Sequence, residues 1–124
     1  MKKIWVLLVS LMLWCAPAQA GDWNFLHWEP AVKSSVVAFN VLNFIDYHQT
    51  INHLHRGGYE LNPIAGRHPS DGVVLAGVVA ESALQYAITG YLADKNPKLQ
   101  FFFQGLSVGF KGLNVMWNYR VTEW

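Results

Sequence analysis

Three charged residues interrupt the long apolar stretches of this chain: Asp46, Glu81 and Lys111. A lone charge near the middle of a membrane-spanning helix costs about 2.5–3.5 kcal/mol on insertion scales. Two acids and one base in apolar surroundings therefore need each other, or a proton. We expect Lys111 to lie within reach of Asp46 or Glu81, forming a site for a proton, an ion or a polar substrate. The alternative is an interhelical hydrogen-bond network that only holds the helices together.

These three residues belong to sets of polar residues that recur at spacings of three and four, which places each set on one face of a helix. They are Asn43, Asp46, Thr50 and His53 in the first apolar stretch, Glu81, Gln85 and Thr89 in the second, and Gln104, Ser107, Lys111, Asn114 and Asn118 in the third. Three helices with one polar face each predict a bundle that turns its polar side chains inward. Such a bundle suits lipid rather than water.

Local signals indicate where the three helices that carry these residues begin and end. Arg56-Gly57-Gly58 is typical of a helix end, Ser70 of an N-cap, and Asn96-Pro97 of a new helix start. The predicted helices span about 31–56, 71–94 and 98–120. The second and third have the length of a membrane span, whereas the first carries too many polar residues to insert well alone. We therefore predict an all-α fold, a small polytopic membrane helical bundle of about three spans.

The first 20 residues combine Lys2 and Lys3, an apolar run, and the small residues Ala18 and Ala20. This pattern predicts a secretory signal peptide at 1–20, followed by a single helical membrane domain at 21–124. An uncleaved anchor helix is the alternative. The chain is 52% hydrophobic and only 14% charged, which favours the lipid bilayer as its partner and the bacterial inner membrane as its location. A net charge of +1 argues against a nucleic-acid partner.

The segment 57–70 is long for a structureless connector, and it carries Glu60, Asn62 and His68 among glycines and prolines. It is either a loop that caps the helix ends or part of a binding site. The candidate binding residues are Asp46, Gln49, Thr50, Glu60, Asn62, His68, Glu81, Lys111 and Asn114.

Four histidines near these acids have the chemistry of metal ligands, but their spacing matches no recognised metal motif. They are His48, His53, His55 and His68. We predict no metal and no cofactor. The chain contains no Gly-x-Ser-x-Gly element and no phosphate-binding glycine loop, so enzymatic activity is not indicated.

A binding or scaffolding role is favoured for such a protein, with two alternatives. One is a membrane-embedded enzyme or an ion or proton carrier that uses Asp46, Glu60, Glu81 and the nearby histidines. The other is an exported soluble helical protein that oligomerises through its apolar faces. Gly105, Gly109 and Gly112 permit close approach of helices, which predicts a homo-oligomer or a membrane-protein partner on that face. Tryptophans flank the bundle where aromatic belts occur in membrane proteins, at Trp23, Trp28, Trp117 and Trp124.

Two short motifs stand out, DYHQT at 46–50 and ELNPIAGRHPS at 60–70, with an Asn in the last helix. Together they resemble small bacterial and phage-encoded multi-helix membrane proteins of unknown function, whose pattern reads D-x-x-Q-T followed by E-x-N-P-I/L-x-G-x-x-P. The similarity covers residues 42–118. The chain departs from the pattern at Tyr47-His48, where Trp-Gly is frequent. The resemblance implies a multi-helix membrane protein and assigns no activity.

Overall fold

A computed structural model describes residues 23–60 and 64–121. A short 3₁₀ turn at Phe25–His27 precedes three helices, α1 (Pro30–His55), α2 (Asp71–Lys95) and α3 (Pro97–Val121). The described residues form no strand, so the prediction of an all-α fold is confirmed. Each helix end lies within one residue of its predicted position. The predicted signal peptide, Asn62 and Trp124 lie outside the described residues.

The helices start and stop at local signals in the sequence. Ser70 Oγ accepts a hydrogen bond from Val73 N at 3.3 Å, which caps α2. Gly57 follows α1 with a φ of +86°, a left-handed conformation that glycine adopts without a steric penalty. The N–H of Gly57 then donates to the carbonyl of Leu54 at 3.1 Å, which satisfies one open carbonyl of the last turn.

Consecutive helices run antiparallel and create two distinct ends of the bundle. Only Asn96 separates α2 from α3, and its Oδ1 accepts from Leu99 N at 3.0 Å to start α3. We call this the hairpin end. At the opposite end, here the loop end, His55 Nε2 lies 3.0 Å from Asp71 Oδ1 and joins the end of α1 to the start of α2.

The interior of the bundle is mainly polar. The buried polar or charged side chains among the described residues are Asn43, Gln49, Gln85, Thr89, Gln100, Gln104 and Lys111, and the buried apolar ones are Trp28, Val32, Val36 and Phe39. The three largest side chains that are almost fully enclosed are Gln104, Asn43 and Thr89. This is the reverse of a water-soluble bundle, whose buried positions are mostly apolar.

Large apolar side chains cover the outside of all three helices. Examples are Phe44, Val79, Phe101, Phe110 and Leu113, which are each more than half exposed. In the described part of the chain, α2 is the helix that is long and apolar enough to cross a membrane. Its most apolar window has a mean hydropathy of 1.4, and 11% of that window is buried. The sequence suggested α3 as a second span because of its length. The mean hydropathy of α3 is too low for this assignment, because its inward face carries Gln104, Lys111 and Asn118.

A small apolar cluster closes the hairpin end. Trp28, Val32 and Val36 form it, and the Trp28 ring lies 4.9 Å from the ring of Tyr86 on α2. Tyr86 donates its hydroxyl to the carbonyl of Trp23 at 2.7 Å, which ties the segment before α1 to α2. The expected role of Trp28 in an outward aromatic belt is therefore wrong, since only 4% of this side chain is exposed.

Two of the three glycines in the predicted helix-packing motif, Gly105 and Gly109, do not pack inside the bundle. A Cβ added at Gly105 or Gly109 would meet no atom within 4 Å, and one at Gly112 would lie 3.9 Å from Leu42 Cδ1. Gly105 and Gly109 are exposed on the outer surface of α3. An oligomer or membrane-protein partner through this face stays a prediction.

Candidate binding cavity

An ion network joins the three helices near the middle of the bundle. Lys111 on α3 donates from Nζ to Asp46 Oδ2 on α1 at 3.0 Å and to Glu81 Oε2 on α2 at 2.5 Å. The lysine is 6% exposed. The contact that the sequence predicted for Lys111 is present, and it involves both acids rather than one. Removing water from a charge is costly, so such a group is held only where oppositely charged partners compensate it.

The two carboxylates of this network differ in the hydrogen bonds that their oxygens accept and in their exposure to solvent. Asp46 accepts from Lys111 at one oxygen and from Asn118 Nδ2 at the other, at 2.8 Å. Glu81 contacts Lys111 through Oε2, and its side chain is about half exposed, at 48%, against 19% for Asp46. Asp46 is therefore the enclosed partner, while Glu81 retains accessible carboxylate surface.

Toward the hairpin end, side-chain amides replace the charges. Gln85 Nε2 donates to Gln104 Oε1 at 2.7 Å, and Gln104 Nε2 donates to Thr89 Oγ1 at 2.6 Å. Gln100 Nε2 donates to the backbone carbonyl of Thr89 at 3.0 Å. This amide cluster fastens α2 to α3, since directional bonds between specific partners hold one register of the two helices.

The amide cluster yields a test of its own. Gln104→Leu removes the partner of the buried Gln85 amide, and an orphaned buried donor costs about 1–3 kcal/mol. We expect the variant to unfold at a lower denaturant concentration than wild type in detergent micelles. We expect the double variant Gln85→Leu with Gln104→Leu to recover much of the lost stability, because both partners are then apolar. Asn114→Leu, at an exposed position of the same helix, is the control. A single variant as stable as wild type would contradict a structural role of the cluster.

Two further buried amides on α1 reach the neighbouring helices. Asn43 Nδ2 donates to the carbonyl of Val78 and to Ser82 Oγ on α2, each at 3.0 Å, and Gln49 Nε2 donates to the carbonyl of Val115 on α3 at 3.2 Å. The oxygens Asn43 Oδ1 and Gln49 Oε1 are buried and accept no hydrogen bond from the described residues. An enclosed acceptor without a donor is uncommon in folded proteins.

Between the ion network and the loop end, the helices separate around a cavity of about 440 Å³. This volume lies in the range of small-molecule sites. Its polar lining consists of Asp46, Gln49, Thr50, His53, Glu60, Glu81, Lys111, Asn114 and Asn118, and its aromatic lining of Tyr47, Tyr59 and Trp117. The remaining wall is formed by small and branched side chains near the start of α2 and by Ala65 of the connector.

The connector between α1 and α2 folds back onto the cavity. The N–H of Glu60 donates to the carbonyl of Arg67 at 2.9 Å, and Gly66 adopts a φ of +86° between them. Arg67 places its guanidinium 5.3 Å from the centre of the Tyr59 ring, an arrangement typical of cation–π contact. The chain reverses its direction at Gly66, and Tyr59 and Glu60 lie in the cavity wall.

The structure brings together most of the candidate binding residues. Those that line the cavity are Asp46, Gln49, Thr50, Glu60, Glu81, Lys111 and Asn114. Asn114 is exposed and lies at the edge rather than within the polar network. His68 is exposed and does not line the cavity, and Asn62 lies outside the described residues.

The four histidines considered as metal ligands are dispersed. His53 lines the cavity, whereas His55 pairs with Asp71 outside it and His48 packs its ring 4.6 Å from the ring of Phe44. In residues 23–60 and 64–121, no three His, Cys, Asp or Glu side chains are grouped as ligands for one metal ion.

Three aromatic residues and one amide of the cavity were not among the candidate binding residues. Tyr47 and Tyr59 are adjacent in sequence to the polar candidates Asp46 and Glu60. This position next to candidate residues is the sequence signal that could have identified them. Asn118 was visible only as the last member of the polar face of α3. Trp117 was assigned to an interfacial belt, and its place in the cavity wall depends on how α3 packs.

Comparison with known proteins yields no relative from which a role could be transferred. No protein-family model, curated protein or solved structure matches this chain.

Proposed function

We propose that this chain is a small integral membrane protein that binds a polar ligand between its helices. The observation that carries the proposal is the inverted distribution of side chains. Amides and an ion network occupy the interior, while Phe101, Phe110 and Leu113 are among the apolar side chains left outside. Large contiguous apolar surface is rare on soluble monomers, and a bilayer removes the penalty for it.

Three features support a bilayer as the surrounding medium. The best candidate span, α2, buries 11% of its most apolar window, so its apolar side chains are not used in a protein core. Polar residues of α1 and α3 pair across the bundle, which lowers the cost of placing these helices in lipid together. The resemblance of residues 42–118 to small multi-helix membrane proteins favours the same assignment.

The binding role follows from the cavity. It adjoins the ion network, and Tyr59, Glu60 and Ala65 of the connector form part of its wall, so polar groups and apolar walls face one partly open volume. Polar residues within membrane helices commonly mark ligand or ion sites. With the predicted signal peptide at 1–20, the proposal locates the protein in the bacterial inner membrane.

Extraction of membranes tests this proposal directly. We expect the full-length protein to remain in the membrane fraction after washing with alkaline carbonate and with urea, because both treatments remove proteins held at the surface but not those embedded in lipid. A known peripheral protein and a known polytopic protein in the same membranes serve as controls. Release of the chain by either wash would contradict the proposal and favour an exported soluble helical protein that oligomerises through its apolar faces.

A further inference from the structure

We infer that the cavity binds a small organic ammonium ion with an apolar body. The inference rests on the proposed function and names the ligand class for that site. The charge of the lining favours a cation. Three carboxylates line the cavity, Asp46, Glu60 and Glu81, against one lysine, Lys111, so acidic side chains outnumber lysine in the lining. A cleft lined mainly by negative charge attracts cations and repels anions.

The lining retains hydrogen-bond acceptors that the bundle does not use fully. Both oxygens of Asp46 are engaged by Lys111 and Asn118, whereas Lys111 contacts Glu81 at one oxygen only. Gln49 is 3% exposed, lines the cavity, and has a side-chain oxygen that accepts no hydrogen bond from the described residues. An ammonium group carries donors and no acceptor, so it complements the accessible carboxylate of Glu81 and the unpaired side-chain oxygen of Gln49.

Part of the cavity wall is apolar and aromatic. Tyr47, Tyr59 and Trp117 line the same volume as the carboxylates, and the Arg67 guanidinium already contacts the ring of Tyr59. Aromatic faces attract cations, and they also provide apolar surface for the body of the ligand. This combination of carboxylate and aromatic groups fits an organic ammonium better than an anion or a neutral polar solute.

A metal ion is the less suitable cation for this lining. Divalent metals in proteins require several converging oxygen, nitrogen or sulfur ligands at short distances. No such group of three His, Cys, Asp or Glu side chains exists among the described residues, and Lys111 already occupies the point where Asp46 and Glu81 converge. The site therefore selects a cation that brings its own apolar surface.

Three probes that share one ring test the inference: benzylammonium, benzyl alcohol and benzoate. Binding is measured by equilibrium dialysis at neutral pH on the full-length protein in lipid nanodiscs, with empty nanodiscs subtracted to remove partition into lipid. We expect saturable binding of benzylammonium and none of benzoate, with benzyl alcohol much weaker. Glu81→Gln is expected to weaken benzylammonium binding about tenfold or more, as for loss of a hydrogen bond to a charged group.

Matched variants keep the test independent of folding. Glu60→Gln removes a cavity carboxylate outside the Lys111 network and should also weaken binding, whereas Asp94→Asn, exposed near the hairpin end, should leave it unchanged. Benzoate binding as tightly as benzylammonium, or no saturable binding of benzylammonium to wild type, would overturn the inference. If the protein resists carbonate and urea but fails this test, only the ligand class is wrong; release by the washes would overturn the proposed function itself.

Discussion

Replacing Lys111 with methionine is expected to reduce the amount of folded protein in the membrane more than any other single change considered. The substitution keeps most of the side-chain volume but leaves Asp46 and Glu81 without their shared cation. Breaking a buried ion pair by removing one partner typically costs about 3–5 kcal/mol, because an uncompensated charge remains inside. The measurement is the fraction folded during titration of the purified protein with a denaturing detergent. Lys98→Met, at an exposed position in the first turn of α3, is the control.

Second-site changes identify which carboxylate destabilises the bundle more when Lys111 is absent. Adding Asp46→Asn to Lys111→Met removes a charge whose side chain is 19% exposed, while adding Glu81→Gln removes one that is 48% exposed. The more enclosed charge has less access to water, so Asp46→Asn should restore more stability than Glu81→Gln. If Lys111→Met is tolerated and neither second change has an effect, the ion network does not stabilise the bundle.

The second large effect is expected on the outside of the bundle, from Phe110→Lys. Phe110 is 69% exposed and lies near the middle of α3. At the centre of a bilayer a lysine costs about 2.5–3.5 kcal/mol on insertion scales, whereas on a surface facing water it costs little. We expect less of this variant than of wild type to be retained in washed membranes.

Phe101→Lys provides the matched control for Phe110→Lys. Phe101 is similarly exposed, at 62%, but lies in the second turn of α3, where a lysine can extend its charge to the lipid headgroups. We expect Phe101→Lys to be retained nearly as well as wild type. Equal retention of both variants would show that the outer face of α3 does not lie in the hydrocarbon region.

The connector between α1 and α2 shows which features of a loop can be predicted from local sequence. Gly57 takes a positive φ where the sequence indicated a helix stop, and Gly66 takes a positive φ within the connector. Glycine is strongly favoured in this conformation, so the turns are readable from residue type. The partner of the Glu60 N–H, the carbonyl of Arg67, was not readable, because several carbonyls lie within similar reach along the chain.

The sequence by itself determined the helices and the polar face of each. Helix ends depend on residues such as Gly57, Ser70 and Pro97, whose effects act over one turn, and the inward face follows from the periodicity of three and four residues. These are local properties, so no knowledge of packing was needed for them.

Only the tertiary structure decided which polar groups meet. Lys111 pairs with residues 65 and 30 positions away in sequence, Trp28 is enclosed, Asn114 lies at the edge, and Trp117 joins the cavity wall. Each outcome depends on the rotation and separation of whole helices, since a small rotation exchanges one residue for its neighbour at the interface. The periodicity of a single helix contains no information about that rotation, and the cavity exists only because three helices separate at the same end.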